Sequence, residues 1–187
     1  MSTVVHPHVD IDEFEALQEN ALWTLGMELI DGEAVVMPPI GQEASSAQGE
    51  LHLALRRWQE DAEVEGVLLQ DVFVALPGEN RPAPDISWWS AEHLPPPPLR
   101  VLDRAKRRIP DLVVEVLSPS TRANGLGAKR ELYMRSGVPE LWLVDPDART
   151  VTRVRPGADD EVLGDGESLT SELLDGFALE VARIFPF

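Results

Sequence analysis

Asp111-Leu112-Val113-Val114-Glu115-Val116-Leu117 is the stretch from which the rest of the chain can be read. From Leu112 to Leu117 every residue but one is apolar and three are valine, the composition of a strand covered on both faces of a sheet. Glu115 interrupts it. An ionised carboxylate in such a place costs on the order of several kcal/mol unless a cation or a dense set of donors meets it. Downstream, residues 126–136 have a helical pattern stopped by Gly137, and Glu140 to Val144 form a second apolar strand. Strand, helix and strand in that order predict a parallel crossover and hence a mixed α/β fold.

Working outward, Glu28 to Met37 predicts a hairpin, because Asp31-Gly32 supplies the positive φ angles of a tight turn between two β-prone runs. Pro38-Pro39 ends it. Before it, residues 10–20 predict a short helix with Asp10 or Asp12 as N-cap. Ala47, Leu51, Leu55, Trp58 and Ala62 make an apolar stripe along a helix from about 44 to 63, which Gly66 should stop. Val67 to Leu76 and Asp85 to Trp89 are expected strands, separated by a turn at 77–80. The connection at 90–109 contains the polyproline run Pro95 to Pro98, which joins neither helix nor sheet. A hairpin through Asp145-Pro146-Asp147 is expected to link Glu140–Val144 to Thr150–Arg155. The tail should hold a short helix near 169–174 and a terminal strand from Ala178 to Ile184.

The chain has 187 residues, enough for one domain with a substantial core. The expected organisation is a helical extension over 1–24 and a single domain over 25–187. No apolar run approaches the ~20 residues of a transmembrane helix, and the N-terminus has no signal-peptide pattern. The absence of cysteine excludes disulfides and thiolate metal sites and fits a cytoplasmic protein. The four histidines form no spaced pair, so any metal should be a hard cation held by oxygen. The net charge of −17 opposes indiscriminate binding to nucleic acid. Residues 100–135 nevertheless carry nine basic side chains against four acidic ones, and this basic window brackets Glu115. Such a run suits a solvated face, but its coincidence with the buried carboxylate favours an anionic substrate.

Two Pro-Asp pairs, Pro84-Asp85 and Pro110-Asp111, each open a strand. Either aspartate can serve as a turn residue accepting backbone N–H groups. That role is preferred for Asp111, whereas for Asp85 a place beside Glu115 is equally open. Lys129 follows the Glu115 strand on the next helix. It is one of only two lysines among sixteen basic residues, and it can be either a solvated helix position or the cation Glu115 requires. Two carboxylates and a lysine would suit hydrolysis. Mg²⁺ keeps several waters and needs few protein ligands, and a lysine can offset charge that builds up on a phosphorane.

The stretch from Pro110 to Arg122, continuing through Lys129, Tyr133, Gly137-Val138-Pro139-Glu140 and Trp142 to Pro146, closely resembles the Uma-type family of restriction-endonuclease-like proteins. That family lies within the PD-(D/E)XK nuclease superfamily. Glu28-Leu29-Ile30-Asp31-Gly32-Glu33 and Pro84-Asp85 match its pattern in the same order, and the likeness spans roughly residues 25–185. The resemblance implies a restriction-endonuclease-like fold, with a central mixed β-sheet flanked by helices. It also implies a Mg²⁺-dependent (or Mn²⁺-dependent) endonuclease acting on nucleic acid, DNA in the first instance, and a homodimer. Carried over, Asp85 and Glu115 are the acidic metal ligands, the Val116 carbonyl completes the metal shell, and Lys129 is the catalytic lysine. The superfamily's usual lysine position, two residues after the second acid, is Leu117 here. The chain departs from the family pattern at Gly125, where aspartate is common, and at Ala44, where histidine is common.

Arg122, Arg130 and Glu50 are candidate substrate contacts. Arg122 could equally pair with Asp111, and Glu50 could equally be a solvated helix glutamate. Tyr133 and Trp142 are expected in the core, Asp145 in a turn, and Ser118 and Ser120 at turn and cap positions. The competing functional class is a non-catalytic nucleic-acid-binding or assembly module that keeps the nuclease fold, a reading that the strong acidity favours.

Overall fold

The computed structural model describes residues 5–6, 9–14, 27–37, 40–94, 109–118 and 126–186. Its centre is a six-stranded sheet of order β4-β5-β6-β7-β8-β9. The strands are β4 (Gly66–Gln70), β5 (Ile86–Ser90), β6 (Leu112–Val116), β7 (Glu140–Asp145), β8 (Thr150–Val154) and β9 (Glu161–Leu163). All neighbours are antiparallel except β6 and β7, which run parallel with Glu115 paired to Leu143. The crossover between those two carries helix α2 (Leu126–Arg135). The sheet is therefore mixed and centred on the Glu115 strand, as expected.

Alternation along the strands sorts their side chains onto two covered faces. Leu112, Val114, Val116, Ile86, Trp88, Trp142 and Val144 face α1 (Gln42–Asp61), which presents Ala44, Ala47, Leu51, Leu55 and Trp58. Trp58 packs edge-on against Trp88, with ring centroids 5.6 Å apart. Val113, Trp89, Leu141, Leu143 and Val154 face the other way, against Leu132 and Tyr133 of α2. Glu115 shares the parity of Val113, so its carboxylate falls on the α2 face. Burial on both sides is why β6 reads as a nearly unbroken apolar run.

A second, small sheet has order β1-β3-β2, formed by β1 (Val5–His6), β2 (Met27–Ile30) and β3 (Glu33–Val36). Asp31 and Gly32 take φ of 52° and 79°, the paired left-handed turn foreseen for this hairpin. The Asp10 carboxylate caps a helical turn at 11–14 by accepting the Glu13 amide at 2.8 Å. Residues 15–20 of the expected helix, the Pro38-Pro39 stop and the polyproline run lie outside the described residues.

Several local expectations are corrected. Gly66 does not stop α1; the helix closes at Ala62 and Glu63, the latter at φ 50°, and Gly66 belongs to β4. It must be glycine there, because a Cβ would stand 2.6 Å from the Trp89 carbonyl oxygen. The strand expected to reach Leu76 ends at Gln70, where Asp71 turns to φ 51°. The expected helix near 169–174 is instead strand β10 (Ser168–Thr170), antiparallel to β11 (Ala178–Glu180). Its exposed-buried-exposed pattern is a strand period that buries Leu169 alone. The terminal strand is short as well, since Val181–Ile184 tightens into a 3₁₀ turn that buries Val181 and Ile184.

Candidate active site

β5 and β6 pair with Ile86 opposite Val114. Extending that antiparallel register by one residue places Asp85 opposite Glu115 on the same sheet face, where facing Cβ atoms lie about 4.5–5.5 Å apart. Asp85 is also tied to β6 itself, since its Oδ2 accepts the Val116 amide at 2.5 Å. The N–H and C=O of one strand residue leave on the same edge, so the Val116 carbonyl is directed toward the Asp85 side. On its other side Asp85 is held through its own carbonyl, which accepts from Gln48 Nε2 at 2.9 Å and from the Asp71 amide at 3.3 Å. Gln48 also donates to Asp71 Oδ1 at 3.0 Å, joining α1 to the end of β4.

From the opposite layer, the first turn of α2 lowers Lys129 onto the sheet. Its Nζ lies 2.7 Å from Glu115 Oε1 and 2.8 Å from Glu28 Oε1. Tyr133, four residues on and hence on the same helix face, donates its hydroxyl to Glu115 Oε1 at 2.6 Å. One oxygen of Glu115 is thus committed to two protein donors. Glu28 comes from β2 of the small sheet and also accepts the Ala83 amide at 2.7 Å, on the segment that leads into Asp85. The side chains of Glu28, Glu115 and Lys129 are 1%, 8% and 6% exposed, and Asp85 is half-buried, so the cluster opens toward solvent on the Asp85 side.

Burial sets the electrostatics. Desolvation raises the Asp85 carboxyl to about 6, against the Val116 amide and Lys129, with Asp71 and Glu28 adding repulsion. Glu115 is pushed up to about 8, first by desolvation and then by Asp85 and Glu28, with Lys129 working the other way. Desolvation would also discharge Lys129, but Glu115 and Glu28 outweigh it and hold the amine above its ordinary value. Burial and the Glu115 carboxylate keep the Tyr133 phenol protonated, as a donor must be. Protonation is therefore contested among the carboxyl groups while Lys129 stays charged.

This donor set fits a hard divalent cation. Once Asp85 and Glu115 give up their protons, their two charges match one divalent cation, and among the described residues buried Glu28 Oε2 has no hydrogen-bond donor. Among the described residues no group of three or more carboxylates or imidazoles gathers into a ready cage. A cation at Asp85 and Glu115 would therefore take few protein oxygens and complete its shell with water, the habit of Mg²⁺.

The sequence candidates Asp85, Glu115 and Lys129 thus converge. Asp111 does not join them; it accepts the Ser90 amide at 2.7 Å and contacts His93 at 2.5 Å, the backbone-accepting role preferred for it. Glu50 is exposed on α1, and Gln48 of the same helix reaches the cluster. Arg130 is engaged by Asp160 at 2.7 and 2.9 Å, and Arg135 by Asp31. Arg122 and the remaining basic residues of the 100–135 window lie outside the described residues. Trp142 and Tyr133 are fully buried as expected, but the Tyr133 hydroxyl was missed as a site group. Glu28 was missed too. Its signal was present in the sequence, a carboxylate leading the apolar pair Leu29-Ile30 in a strand that proves buried throughout.

The chain belongs to the Uma2 family, described as "Putative restriction endonuclease", whose profile matches residues 11–182. A solved structure described as a "putative nuclease belonging to DUF820" from Anabaena variabilis ATCC 29413 shares the fold. Its TM-score is 0.77 over 95% of this chain and 97% of that one, at 21% identity. No curated protein matches the sequence. Among the described residues no helix is long and apolar enough to cross a membrane.

Proposed function

We propose that this protein hydrolyses phosphodiester bonds of nucleic acid, DNA in the first instance, with Mg²⁺ or Mn²⁺ held by Asp85, Glu115 and the Val116 carbonyl. The observation that carries this reading is the buried Lys129 ammonium set against Glu115, on the sheet face that Asp85 shares. Such a cation, when bound, polarises a phosphoryl oxygen and acidifies water. The residues do the rest. Tyr133 and Lys129 fix one oxygen of Glu115 and so orient the other. Lys129 places a compact positive charge where a phosphorane would become more negative. The half-buried Asp85 stands at the solvent side of the cluster, where a polymer backbone could approach.

The second reading, a nucleic-acid-binding or assembly module without catalysis, is favoured by the charge of −17 and by the pairing of Arg130 and Arg135 with acids. Incubation with plasmid DNA, single-stranded DNA and RNA, with Mg²⁺, Mn²⁺ or EDTA, separates the two. The expected result is cation-dependent cleavage, slowed by about 10²–10³ in Lys129→Ala, the usual worth of one electrostatic group at a developing charge. Binding without cleavage under every condition would establish the second reading.

A further inference from the structure

Lys129 has two acidic partners, and only one of them, Glu115, stands among the proposed cation ligands. Glu115 is wanted by the cation, so an ammonium 2.7 Å from its Oε1 competes for a metal ligand. Glu28 is placed differently. It stands on the hairpin rather than on the metal-facing strands, is the most buried carboxylate of the cluster at 1% side-chain exposure, and is fixed by the Ala83 amide at 2.7 Å. Its Oε1 already accepts Lys129 at 2.8 Å, while its Oε2 is buried with no donor among the described residues. A buried acceptor left unsatisfied is destabilising, so its retention calls for an explanation.

We infer that Glu28 is the positioning residue for Lys129, the carboxylate that keeps the ammonium when a divalent cation takes Glu115. An ammonium that gives up Glu115 loses one acceptor, and the free Oε2 of Glu28 supplies another within the same side chain. The charges then divide cleanly. Glu28 and Lys129 form a neutral pair, and Asp85 and Glu115 carry the two negative charges that one divalent cation balances. Lys129 is thereby held beside the cation instead of contending for its ligand. This inference rests on the cation reading above, and its test reads binding rather than cleavage.

Mn²⁺ is titrated against the full chain by the electron paramagnetic resonance signal of the free ion, for wild type, Glu28→Gln, Glu28→Asp, Lys129→Met and Glu28→Gln/Lys129→Met. Cooperative melting confirms the fold of each. With Lys129 present, Glu28→Gln is expected to weaken Mn²⁺ at least tenfold, because the lysine is left with Glu115 alone. In the Lys129→Met background the same change should alter affinity less than threefold, which neither a structural role nor direct ligation by Glu28 would produce. Should Glu28→Gln fail to fold, Glu28→Asp decides, with at least a threefold loss expected that disappears when Lys129→Met is added. Equal losses in both backgrounds, or wild-type affinity in the single Glu28 variants, would overturn the inference while leaving the cation reading intact. Absence of Mn²⁺ binding by the wild type would overturn both.

Discussion

The chain contains the same dipeptide twice, at the start of two neighbouring strands, and puts the two copies to different uses. Pro84-Asp85 and Pro110-Asp111 lead into β5 and β6, which run antiparallel, so their aspartates lie at opposite ends of one ladder. At one end Asp85 stands across from Glu115, beneath a helix that supplies Lys129 and Tyr133. At the other, Asp111 finds the Ser90 amide and the His93 ring, and its own amide bonds the Trp88 carbonyl at 2.9 Å. In each case proline removes a backbone donor where the ladder does not need one, and the aspartate accepts a backbone amide. The difference lies in what the opposite layer brings. Asp85 faces Glu115 beside Glu28, whereas the described partners of Asp111 are a backbone amide and an imidazole, so the proposed divalent cation belongs to the first end.

The sharpest way to break this contrast is to exchange the losses. Asp85→Ala should abolish both the melting-temperature response to Mg²⁺ and the cation-dependent cleavage, a fall of several orders of magnitude. Asp111→Ala should leave both responses at wild-type level and cost about 1–3 kcal/mol of stability, the worth of a lost acceptor for a buried amide. Chemical denaturation measures the stability cost, thermal melting with and without Mg²⁺ the cation response, and the plasmid assay the cleavage. Equal loss of the Mg²⁺ response in the two variants would erase the distinction.

A pH series sharpens it next. The folded protein raises Asp85 to about 6 and Glu115 to about 8, so it favours their protonated forms. Their contribution to stability is therefore complete below the ordinary carboxylate range and is lost as pH rises through about 6 and then about 8. A cation must displace those protons and is held more tightly once they are gone. The rise in melting temperature produced by Mg²⁺ should thus grow from pH 6 to pH 8, and Asp85→Asn should show no such growth. A Mg²⁺ response that is flat across this window would contradict the buried-carboxylate account.

The smallest effect separates the two supporting donors. Tyr133→Phe removes a 2.6 Å bond to Glu115 inside the core and should cost about 1.5–3 kcal/mol, the range for bonds to a charged group. His93 is 51% exposed in its side chain, so His93→Ala should change stability by no more than about 0.5 kcal/mol. Urea unfolding at pH 8 compares the two directly.

Much of this was legible in residues 111–146. The nearly unbroken apolar run of β6 identified the strand and marked Glu115 as needing a partner, and the strand-helix-strand order predicted the parallel pair of β6 and β7. Lys129 could be placed because it is separated from Glu115 by a single turn of chain and the start of a helix. Asp31-Gly32 announced its hairpin because a left-handed turn is a local property. The tail was misread where local signals conflict. Leu169 and Leu174 allow a helix, and only pairing with β11 makes Ser168–Thr170 a strand.

By itself, then, the sequence determined the family, the covered central strand and the demand for positive charge against Glu115, all of which follow from short-range periodicity and the cost of burying an ion. The tertiary structure decided how that demand is met. Glu28 and Lys129 are 101 residues apart, and their contact depends on the small sheet docking against the layer that carries α2. Which Pro-Asp pair joins the cluster depends on the antiparallel register of β5 and β6. Contacts of this kind leave no period in the sequence, because each half is compatible with its own local structure whether or not the other is present.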